Sequence, residues 1–341
     1  MATIAVDANG ADLGPAEVAA GAALAAAQGV SVLIFGPAEA IGDVADGVEV
    51  VDAPVSIAKA PDPVLAVRST PDASIVQAAR AVADGRAQAL VAGGSTGAAL
   101  AAGLFNIKRA GGIYRPALAI PLPVPGKPVT LLDVGANAES RPEHLVQFAF
   151  MGVALAQIVL GVNQPRVGLL SNGEEEMKGT PLVREAHEQL AGSPLNFVGN
   201  VEGLDITSGA ADVIVTDGFT GNVALKVVEG VSQTMLEAVR SAAMSSARAK
   251  LGGALLRPSL RGLRDELDPE GPGGAYLLGL RQLGVVPHGR FTRFGWSQAI
   301  LLAARGVSGD VVGRTHAALE AAGALRVRPP SERLTTVPNQ P

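Results

Sequence analysis

Residues 166–230 read RVGLLSNGEEEMKGTPLVREAHEQLAGSPLNFVGNVEGLDITSGAADVIVTDGFTGNVALKVVEG. The segment contains three short apolar runs, each followed by a polar loop with glycine: Val167–Leu170, Leu195–Val198 and Val213–Val215. Apolar runs of this length between turn residues predict buried strands. Two of the loops lead into helical patterns, so the segment predicts a mostly parallel sheet covered by helices. Ligands of such sheets bind beyond the carboxyl ends of the strands, where these loops lie.

The composition of the whole chain limits its possible functions. The chain has 341 residues, a formal net charge of −5 and no cysteine. This length predicts one large α/β unit or two closely joined ones. The negative charge argues against a general nucleic-acid role. The lack of cysteine excludes disulfides and a thiolate nucleophile, and it fits a cytoplasmic protein.

The sequence contains no clear targeting, membrane-spanning or metal-binding segment. Residues 1–7 reach an aspartate without a basic region, which argues against a signal peptide. The long apolar run Phe148–Val162 contains Gln157 and is short for a membrane span, so it predicts a buried helix. The spacing of histidine and carboxylate residues predicts no metal site.

A glycine loop in the first third of the chain is a candidate phosphate site. Ala89–Ala92 predicts a strand, an apolar helical pattern starts at Ala98, and the loop between them includes Gly94, Ser95, Thr96 and Gly97. Backbone N–H groups at a helix start, together with hydroxyl donors, suit a phosphate. The alternative is a tight turn in which Ser95 or Thr96 caps the helix.

A second polar loop follows the predicted strand Val129–Leu132. It contains Asn137 and Arg141, and Arg141 carries a guanidinium group that suits phosphate. Pro142 fits the first turn of a helix that runs to about Leu160. The alternative for these polar residues is helix capping and a surface ion pair, and a structural role is favoured for His144.

The 166–230 segment contributes three further candidates: Asn172, Lys178 and Asn222. Lys178 follows three glutamates, which usually form a solvated surface. Because its loop follows a buried strand, its ammonium group could instead bind phosphate or stabilise an oxyanion. Asn222 lies near the start of a long predicted helix, Val223 to about Ser246, where it could cap the helix or bind a ligand.

A basic segment in the last third of the chain predicts a surface for an acidic partner. No acidic residue occurs between Ala238 and Arg264. The candidate contact residues are Leu251, Leu255, Leu256, Leu260, Leu263, Arg257 and Arg261. A basic amphipathic segment suits an anionic membrane. The alternatives are a dimer interface for the leucines and docking of an acidic protein for the arginines.

Three local expectations concern the rest of the chain. Ala53–Thr70 contains three prolines and predicts an irregular connection, after which Pro71 opens a helix. Pro258 is expected to divide the basic segment into two helices. One α/β unit is predicted for residues 1–325, possibly as two lobes around a cleft, with a helical excursion at about 240–267. A disordered tail is predicted for 326–341.

Together, the loops resemble the bacterial phosphate acyltransferase family. The segments that carry the resemblance are IAVDANGAD (4–12), VAGGSTGAALAAGLF (91–105), LLDVGANAESRPEHLVQFAFMG (131–152), RVGLLSNGEEEMKG (166–179), PLNFVGNVEG (194–203), DVIVTDGFTGNVALKVVEG (212–230) and LDPEGPGGAYLLGL (267–280). One departure lies after the last core strand, where His288-Gly289 is followed by Arg290-Phe291-Thr292 instead of the family's usual paired serines.

The resemblance implies a three-layer α/β/α fold with a mostly parallel sheet, similar to phosphotransacetylase and isopropylmalate dehydrogenase. It implies a homodimer without a cofactor, in which acyl-[acyl-carrier protein] and inorganic phosphate give acyl phosphate for phospholipid synthesis. The implied location is cytoplasmic and peripheral to the membrane, where a membrane glycerol-phosphate acyltransferase receives the product.

The expected mechanism is attack of a phosphate oxygen on a thioester carbonyl. The Gly94–Gly97 loop and Arg141 are expected to bind phosphate, and Asn137 is a further candidate ligand. Lys178, Asn172 and Asn222 are expected to stabilise phosphate or the oxyanion, and His288 is a weaker candidate for protonating the sulfur. This scheme requires the loops to converge at one edge of the sheet. The alternatives are a coenzyme A-dependent phosphate acetyl- or butyryltransferase and a non-catalytic membrane scaffold for carrier protein.

Overall fold

The structure is a computed structural model that describes residues 2–122, 124, 129–266 and 268–326, without the side chains of 259, 260 and 263–266. The strands are β1 (Thr3–Asp7), β2 (Ser31–Gly36), β3 (Val48–Asp52), β4 (Ala89–Ala92), β5 (Ala117–Leu122), β6 (Val129–Leu132), β7 (Val167–Leu170), β8 (Phe197–Val201), β9 (Val213–Val215), β10 (Ala275–Leu278) and β11 (Leu283–Val286). They form one sheet in the order β3-β2-β1-β4-β11-β10-β5-β6-β9-β7-β8.

Helices cover both faces of this sheet. They are α1 (Pro15–Ala26), α2 (Ala38–Ile41), α3 (Pro63–Ser69), α4 (Ser74–Ala83), α5 (Thr96–Ala102), α6 (Pro142–Leu155), α7 (Pro181–Ala191), α8 (Gly218–Met244), α9 (Ala247–Glu266), α10 (Arg293–Ser308) and α11 (Val311–Ala321). A π-helical turn extends α5 over Gly103–Ile107 and another extends α6 over Ala156–Leu160, and Gly203–Ile206 is a 3₁₀ turn.

Alternation along the strands produces two hydrophobic cores, one on each face of the sheet. Ile4 and Val6 of β1 face the core that includes Trp296, whereas Ala5 between them faces the core that includes Leu90. Successive side chains of a strand point to opposite faces, so each strand contributes to both cores. The predicted three-layer α/β/α class with a mostly parallel sheet is therefore confirmed.

The two halves of the sheet run in opposite directions. β1, β2, β3, β4 and β11 are parallel to one another, and so are β6, β7, β8 and β9. Between these halves, β10 is antiparallel to β11 and to β5, and β5 is antiparallel to β6. These three reversals place the carboxyl ends of the two halves at opposite edges of the sheet. We call the edge beyond β1, β4 and β11 the glycine-loop edge, and the edge beyond β6, β9 and β7 the lysine-loop edge.

Several local predictions need correction. Ala53–Thr70 contains a helix, α3, because Asp62 caps its start by accepting from the Leu65 N–H at 2.9 Å and Pro63 occupies its first turn. Helix α4 starts at Ser74 instead of Pro71. Strand β8 starts two residues after the predicted Leu195, and β10 was not predicted.

Pro258 does not divide the basic segment, because it lies inside the continuous helix α9. The break falls instead at Ser245–Ser246, between α8 and α9. A proline inside a helix removes one backbone donor, and Pro258 is exposed to solvent. The predicted disordered tail lies outside the described residues, apart from Arg326.

Candidate functional site

The glycine-loop edge brings three loops into backbone contact. A Cβ atom added to Gly10, after β1, would lie 2.1 Å from the carbonyl oxygen of Gly93, after β4. A Cβ added to Gly289, after β11, would lie 2.9 Å from the Gly10 carbonyl oxygen and 3.1 Å from Gly94 Cα. Gly94 has a φ of +83°, which favours glycine. The close packing of these three loops therefore requires residues without side chains.

The predicted phosphate loop occupies this edge. Ser95 caps α5, since its hydroxyl oxygen accepts from the Ala98 N–H at 3.2 Å, as the capping alternative predicted. Its hydroxyl hydrogen stays available to donate to a ligand. Gly94, Thr96 and Gly97 are exposed at the mouth of the loop.

A cavity of about 1030 Å³ opens beside Gly94. Gly10 and Asp12 form one side, and the connection from Ser56 to Pro61 forms another. Helix α3 closes it with apolar and hydroxyl-bearing residues, which are Leu65, Ala66 and Ser69. A cavity of this size holds a drug-sized ligand, and it borders the candidate anion loop.

A buried hydrogen-bond network holds the loop after β1. Asp7 is fully buried, and its carboxylate accepts from the Ser74 hydroxyl at 2.5 Å and from the Asn9 N–H at 3.3 Å. The Asn9 side-chain amide donates to the Ala53 carbonyl oxygen at 3.1 Å and to the Ser74 hydroxyl at 3.0 Å. Burial raises the pKa of Asp7 to about 6, against the hydrogen bonds, which lower it. The network fixes the wall of the cavity at Asn9 and Gly10.

Asp7→Asn should raise the stability of the protein relative to wild type, and the gain should increase with pH. The Asp7 pKa is higher in the folded than in the unfolded state, so ionisation costs stability as pH rises from about 4 to about 6. Between pH 5 and pH 7.5 the difference in unfolding free energy between variant and wild type should grow by about 1 kcal/mol. Urea titrations of both proteins measure this, and a pH-independent difference would contradict the assignment. Asp268→Asn, at a part-exposed carboxylate, is the control.

His288 lies at the same edge and is joined to helix α8. Its Nε2 atom is 3.4 Å from Glu229 Oε1, and the Lys226 ammonium donates to Glu229 Oε2 at 2.8 Å. The hydrogen bond with His288, followed by the one with Lys226, lowers the pKa of Glu229 to about 2 against burial. The sequence interpretation missed Lys226 and Glu229. Their spacing of four and seven residues from Asn222, which puts all three on one helix face, is a signal that could have identified them.

The lysine-loop edge holds the other candidates. The Asn172 side-chain oxygen accepts from the Gly179 N–H at 2.8 Å and closes the loop that contains Lys178. Asn200, within β8, anchors the same loop by donating to the Glu175 carbonyl oxygen at 2.9 Å. Lys178 is exposed, and within the described part of the chain its ammonium forms no ion pair.

Asp133 organises the loop that contains Asn137. Its buried carboxylate accepts from the backbone N–H groups of Leu118, Gly135, Ala136 and Asn137, and from the Asn137 side chain. Asn137 also donates to the Pro116 carbonyl oxygen at 2.7 Å. Both amide hydrogens of Asn137 are thus used within the protein, which gives it a structural role here.

Capping explains two further polar residues at this edge. His144 accepts from the Arg141 N–H at 3.2 Å at the start of α6, and desolvation by burial lowers the pKa of His144, which keeps the ring neutral for this role. The structural interpretation of His144 is confirmed, while the Arg141 side chain is exposed. Asp217, not Asn222, caps α8 by accepting from the Phe219 and Thr220 N–H groups. Asn222 is exposed in the second turn of that helix.

The expected convergence of all loops at one edge is wrong for a single chain. Gly94–Gly97 and His288 lie at the glycine-loop edge, whereas Asn137, Arg141, Asn172, Lys178 and Asn222 lie at the lysine-loop edge. No side-chain hydrogen bond joins the two groups in the described ranges. Helix α8 connects them, because Asn222 lies at its start and Glu229 contacts His288 seven residues later. Seven helical residues span roughly 10 Å.

Helices α8 and α9 present the predicted basic surface. Leu251, Leu255 and Leu256 are exposed by 68%, 77% and 58%, and Arg257 and Arg261 are also exposed. The side chains of Leu260 and Leu263 lie outside what the structure describes. A different helix, Pro142–Leu160, is long and apolar enough to cross a membrane, but 67% of its apolar window is buried in the protein. The prediction of a buried core helix there is confirmed.

Comparisons with known proteins agree with this architecture. The family described as "Fatty acid synthesis protein" matches residues 2–314. The phosphate acyltransferase of Gloeobacter violaceus is 44% identical over 321 residues, which cover 91% of this chain and 95% of that protein. The phosphate acyltransferase of Lactococcus lactis is 41% identical over 319 residues, which cover 91% and 96%.

The chain belongs to this family. The resemblance inferred from the loop motifs is therefore confirmed, and with it the enzyme class, an acyltransferase. A phosphotransacetylase from Streptococcus pyogenes has a TM-score of 0.60 at 17% identity and covers 90% of this chain and 94% of its own. A branched-chain phosphotransacylase from Enterococcus faecalis has a TM-score of 0.59 at 18% identity, with coverage of 90% and 99%. These two likenesses confirm the fold of this phosphate acyltransferase family member.

Proposed function

We propose that this chain transfers an acyl group from acyl-carrier protein to inorganic phosphate, which yields acyl phosphate for phospholipid synthesis and free carrier protein. One observation carries the proposal: within an acyltransferase of this family, the Gly94–Gly97 loop, His288 and a cavity of about 1030 Å³ share one sheet edge. The loop supplies N–H and hydroxyl donors for an anion. The cavity beside it has room for the thioester end of the second substrate.

The reaction requires the protein mainly to position phosphate beside the thioester and to stabilise the developing negative charge. A phosphate oxygen forms a bond to the thioester carbonyl carbon, and the carbon–sulfur bond then breaks. Phosphate is itself the nucleophile, so no covalent enzyme intermediate is needed. Holding phosphate beside the carbonyl can supply much of the acceleration, and donors aimed at the developing oxyanion supply a further part.

A release assay tests this function. Purified protein is incubated with labelled inorganic phosphate and either acyl-[acyl-carrier protein] or the matching coenzyme A thioester. We expect acyl phosphate and a clear preference for the carrier-protein donor. A preference for coenzyme A would support a phosphate acetyl- or butyryltransferase. Failure to form acyl phosphate from either donor, with vesicle binding retained, would support a scaffold instead.

Lys178→Ala should lower turnover tenfold or more without changing the melting temperature. The reason is that an exposed ammonium group with no ion pair among the described residues is available to a substrate that extends along α8 from Asn222 toward His288. Loss of one charge-assisted hydrogen bond has an effect of this size. Wild-type turnover in this variant would remove the lysine-loop edge from the chemistry. Lys108→Ala, at an exposed lysine that no proposed role uses, is the control.

We further propose a homodimer formed through α8. Its exposed apolar residues recur every four positions, and they are Phe219, Val223, Val227, Val231, Met235 and Val239. A row at this spacing is a ridge that packs against a second helix. An exposed apolar surface of this extent is unusual for a monomer. Val227→Glu with Val231→Glu should give a monomer in light scattering, and a retained dimer would place the interface elsewhere.

The α9 surface is proposed to attach the protein peripherally to the cytoplasmic face of an anionic membrane, close to the membrane glycerol-phosphate acyltransferase that receives the product. Each basic residue near such a surface contributes about 1 kcal/mol. Sedimentation with phosphatidylglycerol vesicles should show binding that salt weakens. Binding should fall in Leu251→Gln with Leu255→Gln, and equal binding to neutral vesicles would contradict the proposal.

A further inference from the structure

The Glu229 carboxylate lies between two groups that can carry positive charge at the glycine-loop edge. Its Oε2 atom accepts from the Lys226 ammonium at 2.8 Å, and its Oε1 atom lies 3.4 Å from His288 Nε2. The Glu229 side chain is 23% exposed, less than those of Lys226 at 52% and His288 at 35%. The carboxylate is thus the inner member of the cluster, and its two partners face outward.

The cluster borders the candidate phosphate loop. His288 is followed by Gly289, whose backbone packs against Gly10 and Gly94. Lys226 and Glu229 share one face of α8 because they are three residues apart. Helix α8 therefore delivers a lysine and a carboxylate from the other half of the sheet to the edge where the glycine loop lies.

We propose that Glu229 is a positioning residue that holds the Lys226 ammonium for phosphate binding and the His288 ring for proton transfer. This inference rests on the proposed function and names residues that serve it. It moves the main phosphate cation from Arg141, at the opposite edge, to Lys226. With Nε2 turned toward Glu229, Nδ1 is the ring nitrogen left for substrate. A carboxylate that contacts one ring nitrogen of a histidine orients the ring and fixes which nitrogen faces the substrate.

The proton balance of the reaction supports a histidine in this place. Hydrogen phosphate carries one proton, the acyl phosphate product carries none on the bridging oxygen, and the leaving sulfur gains one. His288 accepts the proton as the phosphate oxygen bonds to the carbonyl carbon. It returns that proton to the sulfur as the carbon–sulfur bond breaks. The ring ends neutral, so the step needs no further reactant.

Two readouts test the proposal independently: steady-state kinetics in both substrates, and calorimetric binding of inorganic phosphate. Lys226→Ala should raise the phosphate KM and Kd about tenfold or more while kcat changes little, because it removes a charge-assisted contact. Glu229→Gln should lower kcat about tenfold and raise the phosphate Kd, with the thioester KM unchanged. The double variant Glu229→Gln/His288→Gln should lose no more kcat than His288→Gln alone, since the two act as a unit.

Controls and contrary outcomes separate this inference from the proposed function. Glu237→Gln, at an exposed carboxylate further along α8, should match wild type. Additive losses in the double variant, or wild-type kinetics in Glu229→Gln, would overturn the positioning role. If Lys59→Ala on the cavity wall weakens phosphate binding and Lys226→Ala does not, the cation assignment is wrong. If wild type forms no acyl phosphate yet Lys226→Ala weakens phosphate binding, the proposed function and the proton-transfer role of His288 fail, and only the assignment of Lys226 as the phosphate cation stands.

Discussion

Gly10→Ala should lower kcat/KM about 100-fold, although the new side chain is only a methyl group. Its Cβ would lie 2.1 Å from the Gly93 carbonyl oxygen, whereas real Cβ atoms stay at least 3.0 Å from such atoms. The loops after β1 and β4 must therefore separate by about 1 Å, and a misplacement of that size in a site can cost 10²-fold in rate. Overpacking of this kind typically costs 1–3 kcal/mol of stability, so most of the protein should remain folded.

Steady-state kinetics and urea titration measure the two effects of Gly10→Ala separately. Gly203→Ala is the matched control, because its added Cβ would meet no atom within 4 Å. Activity within twofold of wild type in Gly10→Ala would mean that the spacing of these loops is irrelevant to catalysis. That result would remove the glycine-loop edge from the proposed site.

The sequence predicted individual elements better than it predicted their arrangement. Val167–Leu170 and Val213–Val215 are strands with the predicted bounds, because short buried apolar runs between turn residues have few alternatives. The direction of one sheet half relative to the other depends on β10 and on three antiparallel pairings. The β10–β11 and β5–β6 pairings join consecutive strands, but the β5–β10 pairing joins distant parts of the chain, and no loop motif in either half encodes it.

The candidate site shows the same difference: its loops were predictable from the sequence, but their relative positions were not. Each loop was identified as a candidate from its own residues. The resemblance to the phosphate acyltransferase family then supported the ligand-binding prediction for all of the loops at once. Whether Lys178 and Ser95 share an edge is a question of topology, and the structure places them at opposite edges. Lys226 and Glu229 were missed because a lysine and a glutamate three residues apart on a helix usually form a surface pair. Only the position of His288 beside Glu229 distinguishes them.

Capping and loop closure account for most of the polar residues that the sequence could not classify. Ser95, Asp217 and His144 each satisfy a helix start, and Asn172 closes its own loop. A polar residue after a strand has two possible uses, because free N–H groups at a helix start attract either a side chain or a ligand. The sequence alone does not determine whether a side chain or a ligand binds these N–H groups.

Asp133→Asn should lower the unfolding free energy by about 1–3 kcal/mol for each buried N–H group that is left without an acceptor. The Asp133 carboxylate accepts five hydrogen bonds, from four backbone N–H groups and one side-chain amide. Oδ1 faces three of these donors and Oδ2 faces two, so the amide group of asparagine would oppose N–H groups in either orientation. Because Asp133 is completely buried, no water can replace the lost acceptor.

Urea denaturation compares the loss of unfolding free energy in Asp133→Asn, where the carboxylate is buried in a hydrogen-bond network, with the loss in Asp217→Asn, where it caps a helix. Asp217 also accepts two backbone N–H groups, but it is partly exposed and asparagine caps a helix about as well as aspartate, so Asp217→Asn should cost less than about 1 kcal/mol. Equal losses in the two variants would show that burial of Asp133 adds nothing. A larger loss at Asp133 would mean that the loop carrying Asn137 depends on the buried Asp133 side chain. In that case buried contacts fix the loops at both edges: backbone packing at the glycine-loop edge and the Asp133 hydrogen bonds at the lysine-loop edge.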